Sequence, residues 1–330
     1  MQNKANDSMN KAIFSDFTNI WVYPNPHHVE SKNPYLTLLY KGLQVLSFPK
    51  WSIILPIMAL LSPKSLVHHH WFEFRSGFGF TRLVFRLFIL LLYRLCGGTI
   101  YWTIHNILPH DAPMPGLQQK LRTIMANLSH VVLVHHLSHI YLVQKYYHLN
   151  LDKIQVLQHP DYELSLQSSI PDECVATFNE RYPERFILIY GQVAPYKNTL
   201  KILQALKDHK VIVAGLAKNT DLLHKNYTAE VNEWVDSNDS HMWINRFVSR
   251  EEEAWLHHNS LAVVFGFEKI LYSGGVHLAH QYQSQFENRL QSKIILPKYP
   301  SLELYSKVHS TTSQTYYYEN FSEIRDLVNA

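Results

Sequence analysis

Cysteine is scarce: the 330-residue chain has two, Cys96 and Cys174, far apart and without metal or redox spacing. A reducing, cytoplasmic setting is the expectation. Long apolar runs are missing as well. A membrane-spanning helix needs about 20 uninterrupted apolar residues, whereas residues 51–61 are broken by Pro56 and residues 83–95 contain Arg86, with Arg82 and Arg94 at the flanks. Residues 1–12 are polar, with no basic segment leading into an apolar one, so no secretory signal is expected. Neither a P-loop nor a GxGxxG turn is present, which counts against ATPase and dehydrogenase chemistry.

What is present describes a folded protein, since 46% of the residues are apolar and 13% aromatic. Domains run about 100 to 200 residues, so two are expected. Charge divides the chain unevenly. Residues 1–160 carry 14 Lys and Arg against 6 Asp and Glu, a balance of +8, and residues 161–330 carry 16 against 21, or −5. A basic first half suits an anionic partner: nucleic acid, a phosphorylated lipid or an anionic membrane face. Residues 83–95, apolar with arginines able to snorkel, read as an interfacial helix, the plain alternative being a helix packed in the core.

Apolar, β-branched runs alternate with helical periodicity. Strands are expected at 17–23, 65–73, 100–105, 131–134 and 154–157, then at 186–190, 211–214, 242–247 and 261–265, with helices between them. Residues 35–46, 114–128, 138–147, 199–207, 221–235 and 250–257 read as helices, the last capped by Ser249 with Glu252 at its third position. The alternation predicts an α/β protein with two doubly wound parallel sheets. The expected divisions are a first domain over 1–180, a second over 181–310, and a terminal helix over 311–330 returning toward the first domain.

Residues 100–111 end a buried strand in His105, Asn106, His110 and Asp111. In open α/β sheets, carboxyl ends of strands face the ligand. His105 can donate to or accept from a sugar hydroxyl, and Asp111 or His110 can take a proton from an attacking hydroxyl. In the run His68-His69-His70, strand alternation lets His68 and His70 converge while His69 points away, and no third metal ligand stands at a fixed offset. In the second half, Gly191 opens a turn that ends at Lys197, and Gly215 ends the next strand. Backbone amides and the lysine ammonium there suit a phosphate. Ser273 and Gly274 open a helix, where amides and dipole favour an anion, and Glu268, after a strand, suits a ribose or sugar hydroxyl.

Several of these pieces together resemble bacterial glycosyltransferases of the GT-B fold, of the kind that build capsular and exopolysaccharide units. They are Tyr23-Pro24, Asn33-Pro34-Tyr35, the HxHW strand end at 68–71, residues 102–110, His159-Pro160, the 191–197 turn and the Ser273-Gly274 turn. The resemblance implies two Rossmann-like domains facing a cleft, the acceptor held by the first and the nucleotide sugar by the second. It implies hexosyl transfer to a lipid-linked saccharide at the inner face of the cell membrane, peripherally associated, with no nucleic acid partner. By the same resemblance Lys197 contacts the diphosphate, Ser273 and Gly274 cradle phosphate, and His105 lies near the transferred sugar. Asp111 takes the acidic position after the Pro-His pair. No metal is expected, because lysine and helix dipole stabilise the leaving diphosphate. Gln192 stands where many relatives have arginine, and Glu268 lacks the second glutamate of the E-x7-E pattern, which leaves donor sugar and anomeric outcome open. The competing readings are a nucleotide-sugar epimerase or pyruvyl transferase on the same fold, a histidine-based metal hydrolase, and a non-catalytic partner of a polysaccharide synthase.

Overall fold

The computed structural model describes residues 10–26, 34–48, 52–62, 64–74, 76–109, 114–164, 170–182, 185–268, 270–285, 292–299 and 314–329. The chain forms two compact units, Met1–Tyr162 and Glu163–Ala330.

In the first unit, six strands make one parallel sheet: β1 Asn19–Tyr23, β2 Leu46–Ser47, β3 Ser65–His69, β4 Thr99–Thr103, β5 Val131–Val134 and β6 Ile154–Val156. Their order is β2-β1-β3-β4-β5-β6. Every residue of β3 is buried, which follows from helices covering both faces of a parallel sheet. The expected helix from residue 35 stops at Leu39, because the chain turns at Gly42 with φ 77° and then supplies the short strand β2. Helix Gly77–Leu95 starts earlier than its apolar run, capped by the Ser76 hydroxyl accepting from the Gly79 amide at 3.0 Å.

The second unit repeats the plan with β7 Phe186–Tyr190, β8 Val211–Ala214, β9 His241–Ile244, β10 Ser260–Val264, β11 Lys293–Pro297 and β12 Thr315–Tyr318. Their order is β12-β11-β10-β7-β8-β9, parallel throughout. This is the doubly wound dinucleotide-fold order, with its switch point between β7 and β10. The Ser249 cap forms as expected, accepting from Glu252 N at 3.1 Å.

Two parts of the domain expectation fall differently. Residues 163–180, expected with the first domain, belong to the second unit. Helix Asp172–Arg181 is held there by aromatic contacts, Phe178 at 6.0 Å and Tyr182 at 5.4 Å from Trp255. The terminal segment is a strand followed by a helix. The β-prone run Thr-Tyr-Tyr-Tyr joins the sheet as β12. Helix Glu323–Asn329 then places Ile324 in the second unit's core beside Ile295 and Tyr318. Leu327 and Val328 pack against the same core.

Candidate functional site

At the switch point of the second sheet, the turn after β7 and the loop after β10 are joined. Glu268 N donates to Tyr196 O at 3.1 Å, and Asn198 Nδ2 donates to Gly266 O at 2.8 Å. Gly191 has φ 104°, and a Cβ there would lie 2.9 Å from Lys197 Nζ. The residue type is thus set by backbone conformation, with the tip of the lysine side chain folded over it. A Cβ on Gly215 would lie 2.2 Å from Gly191 O, so this glycine, expected to bind ligand, allows the exits of β7 and β8 to meet backbone to backbone.

Lys197 is partly buried and, among the described residues, its ammonium has neither a hydrogen-bond nor an ion-pair partner. Burial pushes its pKa down to about 8, because a desolvated charge without a counter-charge is disfavoured. The Phe267 ring, 5.8 Å away, supplies the nearest compensation. Helix Gly274–Gln285 begins beside this rim in sequence order, and Ser273 Oγ accepts from Val276 N at 3.3 Å. The hydroxyl thus serves as a cap, and the amides of Gly274 and Gly275 are left without an acceptor among the described residues. Glu268 is exposed, as is Gln192.

Sequence reasoning missed Glu253. This carboxyl is half-buried at the exit of β7, accepting from Tyr190 and, at 3.0 Å, from Tyr282. Burial raises its pKa. His257 stacks on Tyr282 at 4.7 Å. The signal was a third consecutive glutamate at the helix start, one turn before the buried His257.

In the first unit the carboxyl ends of β3 to β6 carry a cluster of rings. His68 and His70 do converge, with centroids 4.4 Å apart, while His69 lies against Tyr23 at 4.6 Å. His105 is stacked on Trp71 at 4.5 Å and 9°, with Tyr35 edge-on at 5.0 Å. Both of its nitrogens are engaged: Nε2 is 3.2 Å from His70 Nδ1 and Nδ1 is 3.3 Å from His135 Nε2. Burial first, then neighbouring histidines, hold His70 and His105 well below the usual histidine range. His68 is pushed down to about 3. His110 and Asp111, the expected proton acceptors, lie outside the described residues.

Arg122, also missed, ties the two loops of this cluster together. Its guanidinium donates to Phe72 O at 2.9 Å, to Asn106 O, and to Tyr147 OH at 3.0 Å. Phe72 follows His70-Trp71 and Asn106 follows His105, so one buried side chain holds both in register. The signal was a charge on the apolar face of helix Pro115–Leu128, level with Leu121 and Met125.

No protein-family model matches the chain, and no curated protein matches it. Solved structures do. Anabaena HepE in complex with UDP and glucose superposes with TM-score 0.61 at 10% identity, covering 95% of this chain and 89% of that one. A glycosyltransferase from Rickettsia africae gives TM-score 0.61 at 11% identity, with 95% and 87% covered. Trehalose 6-phosphate synthase from Burkholderia multivorans gives 0.54 at 14%, with 84% and 66% covered. The fold is therefore the GT-B type of these glycosyltransferases, two α/β units each built on a parallel six-stranded sheet.

Proposed function

We propose that the protein transfers a sugar, a hexose, from a nucleotide diphosphate sugar to a lipid-linked saccharide in surface polysaccharide synthesis. The observation that carries this reading is the partly buried ammonium of Lys197, unpartnered among the described residues and folded over Gly191 at the switch point between β7 and β10. A leaving diphosphate supplies the missing counter-charge there, and lysine and amide dipoles can do so without a metal. The Gly274 and Gly275 amides suit a second phosphate contact, and the exposed Glu268 suits donor hydroxyls. The UDP complex of the structurally similar HepE supports the same class of donor. On this reading His105 and the rings around it serve the acceptor, and His110 and Asp111 remain the proposed proton acceptors.

The acceptor's lipid is proposed from the first unit's surface. Helices Leu55–Leu61 and Gly77–Leu95 lie against each other, and Ile57, Leu60, Leu61, Phe85, Phe88 and Leu95 are all exposed on them. So much apolar surface beside Arg82, on a basic half of the chain, suits an anionic membrane face. Among the described residues no helix is long and apolar enough to cross a membrane.

The test is thermal-shift screening with UDP, GDP and CMP, followed by radiolabelled donor sugars on membrane lipid extract. Stabilisation by a nucleoside diphosphate and label in the lipid fraction are expected. Stabilisation by no nucleotide would sink the reading. Failure to sediment with anionic liposomes at low salt would remove its membrane part.

A further inference from the structure

The cluster in the first unit forms one continuous hydrogen-bonded chain whose direction can be worked out from a single fixed end. His135 Nδ1 lies 2.8 Å from the carbonyl oxygen of Leu157. A carbonyl only accepts, so His135 Nδ1 carries the proton. The ring is buried, where a second proton is disfavoured, so its Nε2 is a lone pair. His105 Nδ1 and the Tyr35 hydroxyl both face that lone pair at 3.3 Å; a second lone pair on His105 Nδ1 would be repelled there, so His105 Nδ1 donates and shares the acceptor with Tyr35. His105 Nε2 is then the acceptor, and His70 Nδ1 donates to it at 3.2 Å. Tyr40 OH therefore donates to His70 Nε2 at 2.8 Å and accepts from His68 Nδ1 at 2.5 Å. At the far end, Thr103 Oγ1 donates to His68 Nε2 at 2.7 Å.

Every link follows from the one before, and the reverse polarity fails at Leu157. Protonation of His105 is opposed first by burial and then by the neighbouring His135, His68 and Arg122. The Trp71 stack fixes the plane of the His105 ring, and Arg122 fixes the loops on either side.

We infer that the Leu157 carbonyl, acting through His135, sets the tautomer of all four imidazoles and makes Nε2 of His105 a hydrogen-bond acceptor. His135 is thus a positioning residue. If the first unit is the acceptor domain, a role that rests on the function proposed above, a sugar hydroxyl donates to His105 Nε2 in place of the His70 N–H that occupies that lone pair in this structure, and an anionic group is rejected. This narrows a histidine that by residue type can either donate or accept.

The test reads the tautomers directly, without donor or acceptor, by long-range proton–nitrogen correlation on the full-length protein with nitrogen-15 histidine at mildly alkaline pH. His68, His70, His105 and His135 are expected as Nδ1–H. His130 is the internal control for the opposite tautomer, because its Nδ1 accepts from Ile100 N at 3.0 Å. An Nε2–H signal or an imidazolium at His105 or His135 overturns the inference. His135→Phe should add an Nε2–H population at His105, whereas Thr103→Val, at the donating end, should leave His105 as Nδ1–H. An unchanged His105 in the folded first variant, or a changed one in the second, also overturns it. In turnover, His135→Phe should lower kcat by about 100-fold or more with the donor KM unchanged. Absence of turnover by the wild-type protein with every donor would sink the glycosyl-transfer reading and leave the tautomer result standing.

Discussion

The two sheets present their carboxyl ends in the same way and equip them oppositely. In the first unit, His68, His70, His105 and His135 satisfy one another, with Tyr40 and Thr103, and carry no charge that calls for a partner. In the second, glycines clear space and Lys197 is left with an ammonium that nothing among the described residues neutralises. A closed network of neutral donors and acceptors sets a direction for hydrogen bonding. An open charge sets a demand for an anion. On the function proposed above, the difference matches hydroxyls to the first unit and phosphates to the second.

Acid should separate the two units most strongly. His68, His70 and His105 titrate near 6.5 when unfolded and are held well below that when folded, His68 at about 3. Between these values the unfolded chain binds more protons, so stability is fully present above about pH 6.5 and falls as pH drops below it. The loss approaches about 1.4 kcal/mol per pH unit for each such histidine. The second unit has a counterpart in His257, pushed down to about 3 by burial. Hydrogen exchange at decreasing pH should expose Thr99–Thr103 before Phe186–Tyr190. Simultaneous exposure would break the comparison.

Arginine and lysine provide the next contrast. Arg122→Met takes the charged donor from the Phe72 and Asn106 carbonyls and leaves Tyr147 with only its bond to Ile107 O, and should cost about 3 kcal/mol in urea unfolding. Lys197→Met removes an uncompensated charge, so the midpoint for the nucleotide-free protein should hold or rise. A fall as large as that of Arg122→Met would mean Lys197 is structural. The smallest effect is on binding. Lys197→Met should weaken UDP by about 10- to 100-fold in titration calorimetry, the range for losing one charge-assisted contact. An unchanged Kd would move the phosphate site elsewhere.

Much of this was legible residue by residue. The runs at 131–134, 186–190 and 211–214 are strands as expected, because a short β-branched apolar segment between turns has few other ways to hide both faces. The Ser249 cap and the convergence of His68 with His70 follow from local periodicity. The strand Lys293–Pro297 was not foreseen, and neither was β12. Each becomes a strand through its pairing at the edge of the second sheet, β11 on β10 and β12 on β11.

The sequence by itself determined an α/β chain of two parallel sheets, the glycine-lysine turn after β7, and the strand ends that carry histidine. Those outcomes depend on hydrophobic period and backbone sterics, which act over a few residues. Only the tertiary structure decided that Lys197 goes unpaired among the described residues, that Arg122 locks two loops, and that the carbonyl of Leu157 dictates the proton on His105. Each of those depends on which atoms strand register brings within about 3 Å, and strand register joins residues 35, 70, 105, 135 and 157 that no local rule connects.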